Sequence, residues 1–159
     1  MNEIGGDWRK IKRVKMNYRV DEPTEMGNIY KKSELIKAFD KALENHPNDV
    51  PVVRNSFELY VKENRDDGDV IYKPIVKIKD IIGTFKGYEI EDNGEIFIEV
   101  KPVINTELFD LCLISTGVTG MVREDNTVDI CSLAGFFLAG SRSIVEPERK
   151  RSYSVVFSS

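Results

Sequence analysis

The chain has 159 residues, 41% of them hydrophobic and 31% charged, with a net charge of −4. That length suits one domain, and that balance excludes wholesale disorder. The acidic balance argues against a dedicated nucleic-acid binder, because such affinity comes from Lys and Arg neutralising phosphates.

Residues 1–12 read as a loose amino-terminal arm, and Met1–Arg9 has no apolar centre of a secretory signal, so secretion is not expected. Arg9, Lys10, Lys12, Arg13 and Lys15 form a basic segment, suited at most to weak contact with an acidic surface. From Val14 the apolar residues alternate through Met16, Tyr18 and Val20, which predicts a half-buried strand with a basic outer face. Asp21–Gly27, with Pro23 inside it, predicts a turn.

Ser33 reads as the N-cap of a helix whose apolar stripe is Leu35, Ile36, Phe39, Ala42 and Leu43. Asn45-His46-Pro47 ends it, since the residue before a proline is pushed out of helical geometry. Strand patterns dominate from Val50. Phe57, Leu59 and Val61 alternate with polar residues, Glu63–Asp69 is a polar loop, and Pro74 interrupts a β-type stretch over 70–82. Tyr88–Val103 predicts a hairpin turning at Asn93-Gly94, the favoured pair for a two-residue type I′ turn with both residues at positive φ.

Asn105 or Thr106 is expected to cap a second, short helix through Leu108, Phe109, Leu111 and Cys112, broken by Gly117 and Gly120. A second hairpin turns at Glu124–Asn126 and returns from Val128 into Leu133–Gly140. In the tail, 146–159, Tyr153–Phe157 has strand propensity but no firm partner. The whole predicts a single α+β domain over 1–159, a mostly antiparallel β-sheet or small barrel of about six to eight strands with two helices packed on it.

Signals for chemistry are sparse. His46 is the single histidine, and Cys112 and Cys131 are too far apart to suggest a metal site with it; both are expected to be buried thiols. No phosphate-binding glycine loop, dinucleotide fingerprint or nucleophile elbow occurs, so no cofactor is expected. Asp80, Glu89, Glu91 and Glu99 read as solvated strand residues. What remains is nucleophilic catalysis with His46 as base and Ser115, Ser132 or Ser141 as nucleophile, Ser115 being nearest the glycines of STGVTG. Set against it is a plain helix-terminal role for His46, favoured by the helix dipole.

Over about residues 27–145 the order of elements resembles the prohead (capsid maturation) proteases of tailed phages. GNIYKKSELIKAF is similar to the stretch leading into that family's first helix, and NHP at Asn45–Pro47 to the place of its catalytic histidine in one branch. IIGTFKGYEIEDNGEIFIEVKP resembles its glycine-containing strand and hairpin, and VDICSLAGFFLAGSRSIV the strand after the nucleophile. The family's nucleophilic serine falls in a Ser-x-Gly turn, where this chain has Thr119 or Met121, and a thioether cannot lose a proton to attack a carbonyl. The resemblance therefore implies a protease-like fold degenerate at the nucleophile: a non-catalytic virion or capsid-assembly protein, in the virion or host cytoplasm, whose partners are capsid or host proteins and copies of itself. The alternatives are an active prohead serine protease using His46 and Ser115, and a small acidic phage inhibitor of a host defence enzyme.

Overall fold

The computed structural model describes residues 7–54, 59–64, 70–139 and 154–157. In chain order these form β1 (Lys12–Arg19), helix α1 (Lys32–Asn45), β2 (Pro51–Val53), β3 (Leu59–Asn64), β4 (Val70–Ile75), a 3-10 turn (Ile78–Asp80), β5 (Ile81–Ile90), β6 (Glu95–Pro102), the one-turn helix α2 (Leu108–Leu111), β7 (Ile114–Val122), β8 (Val128–Leu138) and β9 (Ser154–Phe157). Phe57, the loop at 65–69 and Ser141 lie outside the described residues.

Six strands close into a mixed barrel in the order β1-β6-β5-β2-β8-β7, with β1 returning to β7 through the parallel pair Met16–Ile114. The β2–β8 pairing is parallel too, and the other barrel neighbours are antiparallel. β9 adds to the free edge of β7, and β3 and β4 form a separate two-stranded ribbon. The class is α+β, as the element pattern predicts.

Alternation explains most of the wall. Val14, Met16 and Tyr18 of β1 and Val20 just after it point inward, as do Ile96, Ile98 and Val100 of β6, all buried. Helix α1 covers this core with one face. Phe39 is fully buried and meets Phe85 edge-on at 5.7 Å, with Tyr88 at 5.0 Å and Phe136 at 5.8 Å between ring centroids. Leu35 and Ala42 are buried beside it, while Ile36 and Leu43 are half-buried.

Ser33 is not the N-cap of α1. The helix begins one residue earlier, Lys31 occupies the cap without a side-chain bond, and the Lys32 N–H donates to Oδ1 of Asp21 at 3.1 Å. The cap therefore comes from the loop after β1. Asp21 can reach because it adopts φ +62, a conformation asparagine and aspartate tolerate, and its N–H donates to the Tyr30 carbonyl. Between them, residues 21–30 fold back on themselves and dock Ile29 against Asn126 and Val128 of the second hairpin.

The two hairpins share one turn geometry, wider than the two-residue turn the Asn-Gly pair suggests. Gly94 N–H donates to the Glu91 carbonyl, Glu91 N–H to the Glu95 carbonyl, and only Gly94 has positive φ, at +89. This is a type I turn closed by a left-handed residue. Asn93 serves it with its side chain instead: Oδ1 accepts from Glu95 N–H at 3.0 Å. Arg123–Thr127 repeats the arrangement with Asn126 left-handed at φ +71.

Further departures concern β7 and its neighbours. Helix α2 ends at Leu111, and Thr106 serves its start by accepting from Leu108 N–H. Gly117 and Gly120 do not break that helix; both lie inside β7, where a Cβ at Gly120 would run into the Asp129 backbone. Pro74 sits within β4 opposite Tyr60, in a two-stranded ribbon that tolerates a missing ladder donor, and the β-type stretch is broken at the 3-10 turn instead. The tail strand does have a partner, since β9 pairs with Gly117–Gly120 of β7. Among the described residues no helix is long and apolar enough to cross a membrane.

Candidate functional site

The sequence-predicted pair is His46 with Ser115. His46 forms the C-cap of α1; its backbone N–H donates to the Ala42 carbonyl at 2.8 Å and its carbonyl accepts from Asp49, while the residue as a whole is exposed. Pro47 follows and fixes the exit of the chain. Ser115 is fully buried in the second position of β7, paired across the ladder with Phe137. Its neighbours Ile114 and Thr116 point to the barrel interior, so Ser115 faces outward, in one row with Phe137 and, across β8, Val53. All three are buried on that outer face, where β4 runs alongside β7 and β9. An exposed helix end and a buried strand position thus hold the two residues.

The stretch where the sequence resemblance places a nucleophile turn is extended strand. Thr119 is buried and its Oγ1 lies 2.6 Å from Oγ of Ser132, the residue paired with it across the ladder. Met121 pairs with Asp129 close to the turn of the hairpin. In this setting the Thr119 hydroxyl is engaged in a cross-strand hydrogen bond, and no turn presents Met121 or Thr119 to a substrate.

The ladder also explains the cysteines. Gly120 pairs with Ile130 and Thr119 with Ser132, so Cys131 is the extra residue of a bulge, and it is exposed rather than buried. Cys112 is half-buried at the end of α2. Among the described residues no group of three His, Cys, Asp or Glu side chains could hold a metal ion.

Polar side chains do gather inside the barrel. Tyr18 stacks on Tyr30 at 4.8 Å, and its hydroxyl lies 2.8 Å from Oγ1 of Thr116, both residues buried. Asn28, two residues before Tyr30, is fully buried, its N–H donating to Thr24 Oγ1 and its carbonyl accepting from Thr24 N–H. The Tyr18–Thr116 bond thus ties β1 to β7, the Tyr18–Tyr30 stack holds the 21–30 loop on β1, and the Asn28–Thr24 bonds close that loop on itself.

On the outer face the basic amino-terminal segment is largely neutralised by the chain itself. Arg13 lies 3.6 Å above the Phe97 ring and pairs with Glu89 and Glu91. Lys12 pairs with Asp110, and Lys15 and Arg19 with Glu95. Hydrogen bonds from Lys15 and Asn93 hold the Glu95 carboxyl below its ordinary range. The Thr127 hydroxyl and N–H do the same for Asp125 in the second hairpin turn. Tyr88 is pushed up to about 12, first by burial and then by its hydrogen bond to Asp40, so its phenol stays a donor tying β5 to α1. Glu89 is exposed on β5, as its alternation predicts, while Glu91 is half-buried just past the end of that strand; both pair with Arg13.

No family model matches this chain, and neither a curated protein nor a solved structure matches it.

Proposed function

We propose that this chain is a non-catalytic phage virion or capsid-assembly protein with a prohead-protease-like order of elements, working through contacts with other proteins. The observation that carries the non-catalytic half is the conversion of the nucleophile stretch into a hydrogen-bonded strand: Thr119 is engaged with Ser132, Ser115 is buried, and His46 caps an exposed helix end. A serine nucleophile needs its base within hydrogen-bond reach and room for an acyl group. A fully buried hydroxyl on a paired strand, opposite Phe137, offers neither approach nor space. The assembly half rests on the order of the helix, the NHP step, the central hairpin and the glycine-bearing strand.

Two experiments test it. A fluorophosphonate probe should leave the protein unlabelled, and His46→Ala should change thermal stability only modestly; stoichiometric labelling of Ser115 that His46→Ala abolishes would make the protease reading the leading one. Sedimentation with purified virions and procapsids of the encoding phage should carry the chain down with at least one of them. Its absence from both would remove the assembly reading and leave inhibition of a host enzyme to be tested by direct binding.

A further inference from the structure

The barrel closes without β9. The six strands β1-β6-β5-β2-β8-β7 return on themselves through Met16–Ile114, and beyond that single parallel pair β1 and β7 diverge. From Gly117 to Gly120 the edge of β7 turned away from β8 therefore needs another partner for its backbone groups. Here β9 supplies it, with Phe157, Val156, Val155 and Ser154 opposite Gly117, Val118, Thr119 and Gly120. The strand arrives from far along the chain: residues 140–153 separate it from the described end of the β8 side at Ala139.

We infer that the Gly117–Gly120 edge of β7 is a strand-docking site that accepts β9 from a second copy of this chain as well as its own. Three points on the page carry this. The slot is defined by backbone pairing, so a β9 from another copy makes the same hydrogen bonds in the same register. Among the described elements β9 lies chiefly beside β7 and β4, and its departure removes no strand from the closed barrel. The connection is long enough, too. About 14 residues at ~3.3–3.6 Å each reach roughly 45–50 Å, whereas a chain of this length has a diameter of about 40 Å. Cis and trans pairing then differ mainly in the effective concentration set by that connection, which for a short linker is on the order of millimolar. Exchange of an identical element is a low-cost route to a symmetric dimer. The inference stands apart from the capsid reading, since it needs only the barrel and its added strand.

The test places one cysteine on each side of the slot, Thr119→Cys and Val155→Cys, in a chain also carrying Cys112→Ser and Cys131→Ser. Equal amounts of ¹⁵N-labelled and unlabelled protein are mixed, equilibrated and oxidised, and the cross-linked peptides are read by mass. Links joining one labelled and one unlabelled peptide should be scarce at about 10 μM and approach about half their statistical maximum at ~1 mM. Links confined to single copies across that range would overturn the proposal. Native mass spectrometry of mixed wild-type protein gives a second readout that needs no cysteine. Mixed-label dimers should form in samples equilibrated at ~1 mM, and the double variant Val155→Pro, Val156→Pro should abolish them while keeping the circular dichroism of the barrel. Successive residues alternate the edge their N–H faces, so one of these prolines removes a donor turned toward β7. Dimers that persist in the double variant would show a different interface and count against the slot.

Discussion

Gly94 and Asn126 hold the left-handed position in two turns of one design, and the chain uses a different residue for each. Glycine meets φ +89 at no steric cost, and asparagine tolerates φ +71. Replacing Gly94 with valine should cost about 1–2 kcal/mol from left-handed strain alone, or ~2–8 °C in Tm, because the space beside it is ordinary and only the backbone objects. A calorimetric scan checks this, and unchanged stability would mean that the turn is not formed as described. The Asn93-Gly94 pair is a legible hairpin signal, yet the loop it belongs to is one residue longer, made of Asp92, Asn93 and Gly94. A dipeptide rule sees the preference for positive φ at asparagine but not the competing use of its amide as an acceptor for Glu95 N–H.

Periodicity makes β1, α1 and β6 readable, since each buries one face and exposes the other, whereas the return strand β8, buried throughout Gly135–Leu138, is read from the turn before it. β7 was missed for the converse reason: Ile114 through Gly120 are buried on both faces, so no alternation remains to be seen. Within α1, Phe39→Ala should cost about 3–5 kcal/mol, because the ring is fully enclosed by Phe85, Tyr88 and Phe136. Urea unfolding monitored by the circular dichroism of the whole chain measures it, and a loss well under 1 kcal/mol would place that face elsewhere. The start of the helix offers a sharper comparison. Asp21→Ala removes the acceptor for Lys32 N–H and should cost about 1 kcal/mol, whereas Ser33→Ala, the substitution the local sequence singles out, should cost close to nothing. Reversal of that order would return the cap to Ser33. Local reading could not find Asp21, because the loop that carries it to the helix is shaped by the docking of Ile29 on a hairpin about a hundred residues away.

At the scale of the molecule, two depressed carboxyls stabilise the two hairpin turns together. The folded-state pKa of Glu95 lies below its ordinary 4.5 and that of Asp125 below its ordinary 3.8. A group depressed in the fold contributes its stability fully above the unfolded value and loses it as pH falls through the folded one. Stability should therefore hold down to about pH 4.5 and decline progressively below it, and Glu95→Gln with Asp125→Asn should flatten that decline. Thermal melts between pH 2 and 6 test this, and a decline of equal steepness in the double variant would assign the acid sensitivity to other groups. The candidate site was legible only as residue types. His46 and Ser115 could be named from sequence, but the burial of one and the exposure of the other follow from where a barrel wall and a helix end fall. The same wall sets a schedule during synthesis. Among the described residues β1 finds its neighbours only in β6 and β7, so its apolar row has no complete sheet partner until β6 has been made through Pro102. At about 5–20 residues per second that interval lasts roughly 4–16 s, a window in which Val14, Met16 and Tyr18 on the nascent chain are open to chaperones.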